Sequence, residues 1–416
     1  MDTPIDRRRF LAGVGAGLLL PTVGSLLAAC GPGTTGAKTA AAKSSSSGPP
    51  RKVKLGFIAL TDCASIVMAK ELGYFAERGL DVEVLKQASW PATRDNLLNG
   101  QIDAAHCLFS MPFSLATGIG GTGTALKIAM VLNNNGQAIT LNKDFASVGY
   151  GDLEAAKAAL ESKSPTLAMT FPGGTHDAWL RYWLKATGAN TADVKVIPVP
   201  PPQMVANMTV GNMDGYCVGE PWNAVAVAQG IGFTHLATQD LWQHHPEKAL
   251  VVNEQFAADK EHALSDVMGA VLKASKWLDV PANRSQAATT IGGAAYVNAP
   301  PDDIRGRLLG KYDLGANLPP KTFTGDQMTF FRDGKVNAPR RSHAYWFMAQ
   351  YQRLGLLKEA PPYASFADQI ILRDLYEKVA AAEGVDVPDD DMTPFAVKLD
   401  GVTFDPKKVV EEAKRA

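Results

Sequence analysis

The sequence has little of what marks several large classes of protein. It carries four cysteines, a formal net charge of −1 and a single long apolar run in 416 residues. The near-neutral charge argues against a nucleic-acid partner, because proteins that bind nucleic acids carry a basic patch. Beyond the one run, no stretch is long and apolar enough to span a bilayer. The remaining composition, 46% hydrophobic and 20% charged, is typical of a globular protein.

Recognisable catalytic and metal-binding motifs are also missing. The chain has no Gly-x-Ser-x-Gly elbow, no His-Glu-x-x-His helix and no P-loop. His244, His245 and Glu247 stand close together, but their spacing fits no structural zinc pattern. We therefore expect surface or interface histidines, no bound metal and no enzymatic activity. Cys107 and Cys217 lie in apolar runs, which predicts buried thiols.

The long apolar run predicts an export signal over residues 1–30. Arg7, Arg8 and Arg9 precede the run, which ends at Leu-Ala-Ala-Cys30. Paired arginines before such a run are typical of a twin-arginine signal, and the residues before Cys30 resemble the lipobox of bacterial lipoproteins. We expect lipid on Cys30 and attachment to the extracytoplasmic face of the cell membrane. The alternative is an uncleaved membrane helix, which four glycines and a proline in the run disfavour.

The rest of the chain divides into a tether and a two-lobed body. Residues 31–51 are small, polar and of low complexity, which predicts a flexible tether. Strands then alternate with helices, and this pattern predicts an α/β fold with a mixed, mainly parallel sheet flanked by helices in each lobe. We place the first lobe at 52–145 and the second at 146–255. A mostly helical segment, 256–416, is expected to complete the first lobe.

Polar and aromatic residues follow the ends of several predicted strands. In an open α/β sheet, ligands bind in the crevice outside the carboxyl ends of the strands. The Gly173-Gly174 turn leads into a helix whose first N–H groups, together with His176, form a candidate anion site. The alternative is a tight turn capped by Thr175 and without a ligand. Trp90 stands at a similar corner, where it either shapes a pocket or packs in the core. Further candidates at strand ends are Gln137, Gly219, Glu220 and Lys248.

Longer strings in the sequence identify a family. Over about 52–355 the chain resembles the nitrate/nitrite- and bicarbonate-binding lipoproteins of bacterial ABC importers, notably in ASWPATRDNLLNGQIDAAH, AMTFPGGTHDAWLRYWL and LWQHHPEKAL. Members of that family are two-lobed C-clamps of the type II periplasmic binding protein kind. They hold one small planar oxyanion between the lobes. The resemblance therefore implies capture of nitrate, and of nitrite, for delivery to an ABC permease and its ATPase.

The same resemblance implies which residues contact the ligand. They are Trp90, Gln137, His176 and Lys248, with backbone contacts from Gly173, Gly174 and the Gly219 region, and Glu220 in a shared motif. Nitrate binders have a lysine at the position of Lys248, whereas bicarbonate binders have an acidic residue and a calcium ion. A fixed positive charge in a water-poor cleft would offset the charge of nitrate. No cofactor is expected unless the ligand is bicarbonate.

Two features depart from the family pattern, and other functions remain open. The tail after about residue 355 does not align, and Cys63 follows Asp62 where the family has a small residue; neither is expected to touch the site.

The ligand could instead be bicarbonate or an alkanesulfonate-like anion. The chain could also be a cytoplasmic nitrate sensor, which the export signal opposes. An enzyme of thiamine-precursor synthesis with the same fold would need a reactive site that the sequence lacks.

Overall fold

The computed structural model describes residues 49–415, so the predicted signal peptide, Cys30 and most of the tether lie outside the described residues. The strands are β1 Arg51–Phe57, β2 Leu80–Lys86, β3 Ala104–Leu108, β4 Leu126–Asn134, β5 Gln137–Asn142, β6 Thr166–Met169, β7 Lys195–Pro198, β8 Gly215–Gly219, β9 Gly232–Ala237, β10 Pro246–Asn253, β11 Lys311–Tyr312, β12 Lys321–Thr322, β13 Phe395–Val397 and β14 Val402–Phe404. The helices are α1 Ala64–Glu71, α2 Trp90–Leu98, α3 Met111–Ala116, α4 Leu153–Lys163, α5 Thr175–Thr187, α6 Met204–Thr209, α7 Trp222–Ala228, α8 Glu254–Asp259, α9 Glu261–Leu278, α10 Pro281–Gly292, α11 Pro301–Leu308, α12 Arg341–Arg353, α13 Tyr363–Ile370, α14 Arg373–Ala382 and α15 Val409–Ala413.

The first sheet has the strand order β2-β1-β3-β10-β4. Four of its strands run parallel, and β10 is inserted antiparallel between β3 and β4. β3 is buried along its whole length, as expected for a strand that is covered on both faces. The corner before α2 forms as its sequence predicts, because Ser89 accepts a hydrogen bond from Ala92 N at 3.2 Å and Pro91 lies in the first turn.

The second sheet repeats this topology with the order β7-β6-β8-β5-β9. β6, β7 and β8 are parallel, and β5 is inserted antiparallel between β8 and β9. Helices flank both sheets, and their apolar faces bury the core between helix and sheet. The predicted fold class, two α/β lobes of the type II periplasmic binding protein kind, is confirmed.

The chain crosses between the two sheets at places that differ from the predicted boundaries. Boundaries at 145 and 255 put β5 in the first lobe and β10 in the second, yet each strand pairs in the opposite sheet. The first crossing lies at residues 135–136, between β4 and β5, and the second lies between β9 and β10. Each sheet thus receives its antiparallel strand directly after a crossing.

The segment after β10 packs on both lobes rather than completing the first alone. α9 lies against α1, and α14 lies against β4, in the first lobe. α11 lies against α7 of the second lobe, while α12 contacts both α3 and α5. The C-terminal part of the chain therefore bridges the lobes.

Two further sequence predictions concern membranes and thiols. Between residues 49 and 415, the structure contains no helix with the length and apolarity needed to cross a bilayer. Cys63, Cys107 and Cys217 are free and buried. The prediction of buried thiols at Cys107 and Cys217 is confirmed.

Candidate anion-binding site

Two of the predicted ligand residues, Lys248 and Trp90, meet in a fully buried cluster of charged groups. Lys248 Nζ lies 2.8 Å from Asp62 Oδ2 and also bonds to Glu247 Oε1. It lies 5.8 Å from the centre of the Trp90 ring. All four side chains are 0% exposed. The predicted cation is thus paired with two carboxylates that sequence reasoning missed, and the expectation that the loop at Asp62 stays clear of the site is wrong.

A bulge in β10 brings Glu247 and Lys248 into the same cluster. In the pairing with β4, Pro246 lies opposite Asn134 and Lys248 lies opposite Asn133, so Glu247 is an extra residue. Successive residues of a regular strand point to opposite faces, and an extra residue re-aims one of them. Asn133 also holds this backbone, because its side-chain oxygen accepts a hydrogen bond from Lys248 N at 3.2 Å.

The three charges of the cluster keep one another ionised. Burial alone would raise the pKa of Asp62 and of Glu247, but Lys248 holds both pKa values below their ordinary range. Burial alone would lower the pKa of Lys248, but the two carboxylates raise it. Two negative charges and one positive charge sum to a formal −1. Lys248 therefore does not give the site a net positive charge, which corrects the simple charge argument drawn from the sequence.

His106 joins the cluster from within the first sheet. It lies on β3, and its Nε2 is 2.6 Å from Asp62 Oδ1. Burial lowers the pKa of His106, so the ring is neutral near pH 7 and Nε2–H donates to the carboxylate. The sequence carried a signal for this residue, since His106 is the one polar side chain in the strand AAHCL.

Three predicted donors have no hydrogen-bond partner among residues 49–415. They are Trp90 Nε1, Gln137 Nε2 and His176 Nε2, and each side chain is 0% exposed. A buried donor without a partner costs about 1–3 kcal/mol, so such groups are rare and call for an explanation. Three of the residues that the family resemblance assigns to an anion therefore have N–H groups that remain available.

Thr170 sets the orientation of the His176 ring. Thr170 Oγ1, just beyond the end of β6, lies 2.5 Å from His176 Nδ1. Burial lowers the pKa of His176, so the ring is neutral. Because Nε2 faces the Glu247 carboxylate, which only accepts hydrogen bonds, we assign the ring proton to Nε2, and the hydroxyl then donates to Nδ1. Nε2 lies 3.2 Å from Glu247 Oε1, but its N–H is not aimed at that oxygen. His176 is thus built as a neutral donor.

The Gly173-Gly174 turn does not offer the backbone donors that the resemblance implied. Gly173 N donates to Asp177 Oδ2 at 2.8 Å, and Gly174 N donates to the carbonyl oxygen three residues earlier at 2.9 Å. The glycines are needed for space and conformation. Gly173 has φ +68°, and a Cβ at Gly174 would lie 2.7 Å from Leu108 Cδ1. Gly174, not Thr175, is the N-cap of α5.

Gly219 borders the cluster, whereas the Glu220 carboxylate is engaged elsewhere. A Cβ at Gly219 would lie 3.3 Å from Asp62 Oδ2. The Glu220 carboxylate accepts a hydrogen bond from Ala224 N at 3.2 Å and lies 3.4 Å from Arg307 Nε. The carboxylate thus contacts one group of the second lobe and one of the C-terminal segment, so the structure does not place Glu220 among the ligand-facing groups.

Hydrogen bonds between the lobes surround the cluster. They run from Thr61 N to Glu220 O at 2.7 Å, from Trp222 Nε1 to Ala59 O at 2.9 Å and from Ser110 Oγ to Gly173 O at 3.0 Å. The lobes are therefore closed, and the site residues are shielded from solvent. Exchange of a ligand at this site requires the lobes to separate.

Of the two histidines before the bulge, which were predicted to lie at the surface or at an interface, His245 lies in the interior. His245 is buried, with its ring centre 4.5 Å from that of Trp179 and its Nε2 2.8 Å from Thr238 Oγ1. His244 is half-buried. In the described part of the chain, no group of three or more His, Cys, Asp or Glu residues is arranged to hold a metal ion.

Comparison with known proteins places this arrangement in a family. The model of the NMT1-like family matches residues 46–292, more than half of the chain. The chain belongs to the NMT1-like family. It is 38% identical over 435 aligned positions to the nitrate/nitrite binding protein NrtA of Nostoc sp. strain PCC 7120, and the alignment covers 98% of each chain.

Two other proteins extend the comparison. The chain is 27% identical to the bicarbonate-binding protein CmpA of Synechococcus elongatus, over 97% of this chain and 96% of that protein. The crystal structure of the periplasmic nitrate-binding protein NrtA from Synechocystis PCC 6803 matches with a TM-score of 0.82 and 36% identity, over 88% of this chain and 98% of that one. The similarity therefore spans both lobes of this NMT1-like protein and the segment that bridges them.

Proposed function

We propose that this protein is the extracytoplasmic receptor of an ABC importer and that it captures nitrate, and nitrite, between its lobes. The observation that carries the proposal is the set of buried, unpartnered donors, Trp90 Nε1, Gln137 Nε2 and His176 Nε2. Trp90 lies near the Lys248 ammonium, His176 lies near Glu247, and Gln137 pairs with Gly219, which borders Asp62. Nitrate is planar and only accepts hydrogen bonds, so a site lined with N–H donors suits it. The similarity to proteins named as nitrate/nitrite binders supports the same ligand.

Capture follows from the closed lobes. The ion enters while the lobes are apart, and Trp90 from the first lobe and His176 from the second then enclose it. Hydrogen bonds to a charged group contribute about 1.5–3 kcal/mol each, which is enough for three donors to hold a small anion. In the closed form, the two lobes have one fixed relative position, which the permease and its ATPase can recognise.

Bicarbonate is the second candidate, and one atom favours it. Gln137 Oε1 is a buried acceptor without a partner among the described residues, and the hydroxyl of bicarbonate could donate to it. Lys248 argues against this candidate, because its ammonium already bridges Asp62 and Glu247. Two neighbouring carboxylates would otherwise need a metal ion between them. We therefore expect no calcium requirement.

Calorimetry on the purified protein separates these ligands. Nitrate, nitrite, bicarbonate and taurine are titrated separately, each with and without calcium. Tight nitrate binding that is independent of calcium supports the proposal. Bicarbonate binding that is tightest and depends on calcium transfers the assignment to the second candidate, and taurine as the tightest ligand rejects both.

The location of the protein is proposed from the N-terminal sequence and from its periplasmic relative. Lipid on Cys30 would hold the two lobes at the extracytoplasmic face of the membrane, with residues 31–51 as the tether. Labelling cells with a palmitate analogue is expected to mark the wild-type protein. The Cys30→Ser variant is expected to lose the label and to leave the membrane fraction. Equal labelling of both proteins rejects the anchor.

A further inference from the structure

A second cavity lies where the chain crosses between the lobes. It has a volume of about 320 Å³, which is roughly ten times the volume of a water molecule. The cavity is therefore larger than a single nitrate-sized ion would fill. Its walls include Asn134 at the first crossing and Trp242, Gln243 and His244 at the second. We call this cavity the crossover pocket. The segment before β13 and the stretch between β12 and α12 close its other sides.

The crossover pocket carries a net positive charge. Arg332, Lys335 and Arg340 line it, against one lining carboxylate, Asp390, which gives a formal sum of +2. Arg340 Nη1 lies 3.5 Å from Asp390 Oδ2, whereas Arg332 and Lys335 form no ion pair in the described part of the chain. Asp279 and Asp333 both act electrostatically on Arg332, and Asp279 is already bonded to Arg284 and to three backbone N–H groups.

Buried polar atoms in this pocket also lack partners. Arg340 Nε, His244 Nδ1 and His343 Nδ1 form no hydrogen bond to residues 49–415, and His343 is only 7% exposed. One acceptor, Asp390 Oδ1, is likewise buried without a partner among these residues. Burial and Arg332 lower the pKa of His244 to about 4. A bound anion would satisfy the donors and neutralise the excess positive charge.

The backbone and the apolar walls add two further features. His244 and Arg332 both have positive φ, 61° and 45°, in residues that rarely adopt it, and such strain is found at ligand sites more often than elsewhere. The Trp242 ring stacks on Phe395 at 4.2 Å, and Val336 and Ala338 are buried beside them. The pocket therefore combines cationic groups with an apolar wall.

We infer that the crossover pocket is a second anion site, distinct from the cluster at Lys248, and that it takes a small organic dicarboxylate. Two carboxylates match the formal excess of two positive charges, and a short carbon chain matches the wall of Trp242, Val336 and Ala338. Arg332 is suited to a bidentate arginine–carboxylate pair. Arg340 offers its Nε, because its Nη1 faces Asp390 and its Nη2 donates to Thr393 O at 2.7 Å.

Direct titration with succinate tests this inference. The purified protein is titrated with succinate by calorimetry, with inorganic phosphate and neutral succinamide in parallel. Arg332→Gln and Arg340→Gln are each expected to weaken succinate binding at least tenfold. Arg78→Gln is the matched control, because it removes the same charge from a partly exposed arginine of the first lobe, 23% exposed, that does not line the pocket.

Each outcome is decisive. Saturable succinate binding that both pocket variants weaken and the control retains supports the site, whether or not the protein binds nitrate. Absence of succinate binding, or binding that the pocket variants leave unchanged, overturns it. Tight phosphate binding without succinate binding rejects an organic dicarboxylate as the ligand. Binding of succinamide as tight as that of succinate rejects it as well.

Discussion

At the scale of single residues, the site is a balance between paired charges and unpaired donors. Lys248 was predictable from a family string, but its two partners were not, because the contact with Glu247 depends on a bulge and the contact with Asp62 joins residues far apart in the sequence. Removing one member of a buried ion pair typically costs 3–5 kcal/mol, since it leaves a charge without a partner. Variants at Lys248 therefore confound stability with binding, and the donors are better probes.

Trp90 offers such a probe. Trp90→Phe removes one buried N–H that has no protein partner and is expected to weaken nitrate binding roughly 10- to 100-fold, the value of one hydrogen bond to a charged group. Trp346→Phe is the matched control, because its indole N–H is also buried and unpartnered but lies outside the cluster. Calorimetry on both variants checks the assignment. Equal losses would show that repacking, not the donor, determines affinity.

The charge of the cluster makes a second residue-scale prediction. Asp62, Glu247 and Lys248 sum to −1, and burial keeps the pKa of His176 below its ordinary value, so that ring is neutral near pH 7. Bound nitrate adds a negative charge and raises the pKa values of its neighbours, so binding takes up protons and affinity is expected to rise as pH falls. Titrations at about pH 6 and about pH 8, in buffers of different ionisation enthalpy, measure this uptake. A pH-independent affinity contradicts it.

At the scale of elements, local patterns were predictable and strand pairing was not. The cap at Ser89 follows from a short sequence signal and forms as expected. The lobe boundaries were wrong because β5 and β10 pair with strands far away in the chain, and their composition does not reveal which sheet they join. The Gly173-Gly174 turn was placed correctly, but the Asp177 carboxylate, in the first turn of the helix, uses the N–H that was assigned to a ligand.

Contacts between the corners of the two lobes supply the element-scale prediction. Ser110→Ala removes the hydrogen bond to Gly173 O that helps to hold the lobes closed. Because closure and binding are coupled, nitrate affinity is expected to fall about 2- to 10-fold, mainly through faster release. Thr117→Ala is the control, since its hydroxyl bonds only within the same helical region of the first lobe. Stopped-flow release rates that are equal for the two variants would contradict the prediction.

At the scale of the whole molecule, neutral buried histidines set the response to acid. His235 is fully buried; its Nδ1–H donates to Gly149 O at 2.8 Å and its Nε2 accepts from Trp183 Nε1 at 3.1 Å. Both contacts require the neutral ring. Burial lowers the pKa of His235 to about 4, so the unfolded chain takes up the proton first and stability is lost as pH falls from 6.5 towards 4.

This acid sensitivity is measurable by urea unfolding at several pH values. A shift of this size corresponds to roughly 3 kcal/mol of unfolding free energy for His235. His235→Gln is expected to flatten the dependence of stability on pH in this window, whatever it does to stability at neutral pH. His262→Gln, at an exposed helical position, is expected to leave the slope unchanged. Parallel slopes for all three proteins would reject His235 as a source of acid sensitivity.

The two crossings have a consequence for the order of events during capture. Gln137 is the first residue after one crossing, and Lys248 is the third residue of the strand that follows the other. Points near a rotation axis move least, so a motion that rotates the lobes about the two crossings would leave the separation of the amide and the ammonium nearly unchanged. The same motion would move the indole of Trp90 and the imidazole of His176 apart. In such a motion, an arriving ion meets Gln137 and Lys248 first, and Trp90 and His176 reach it only when the lobes close.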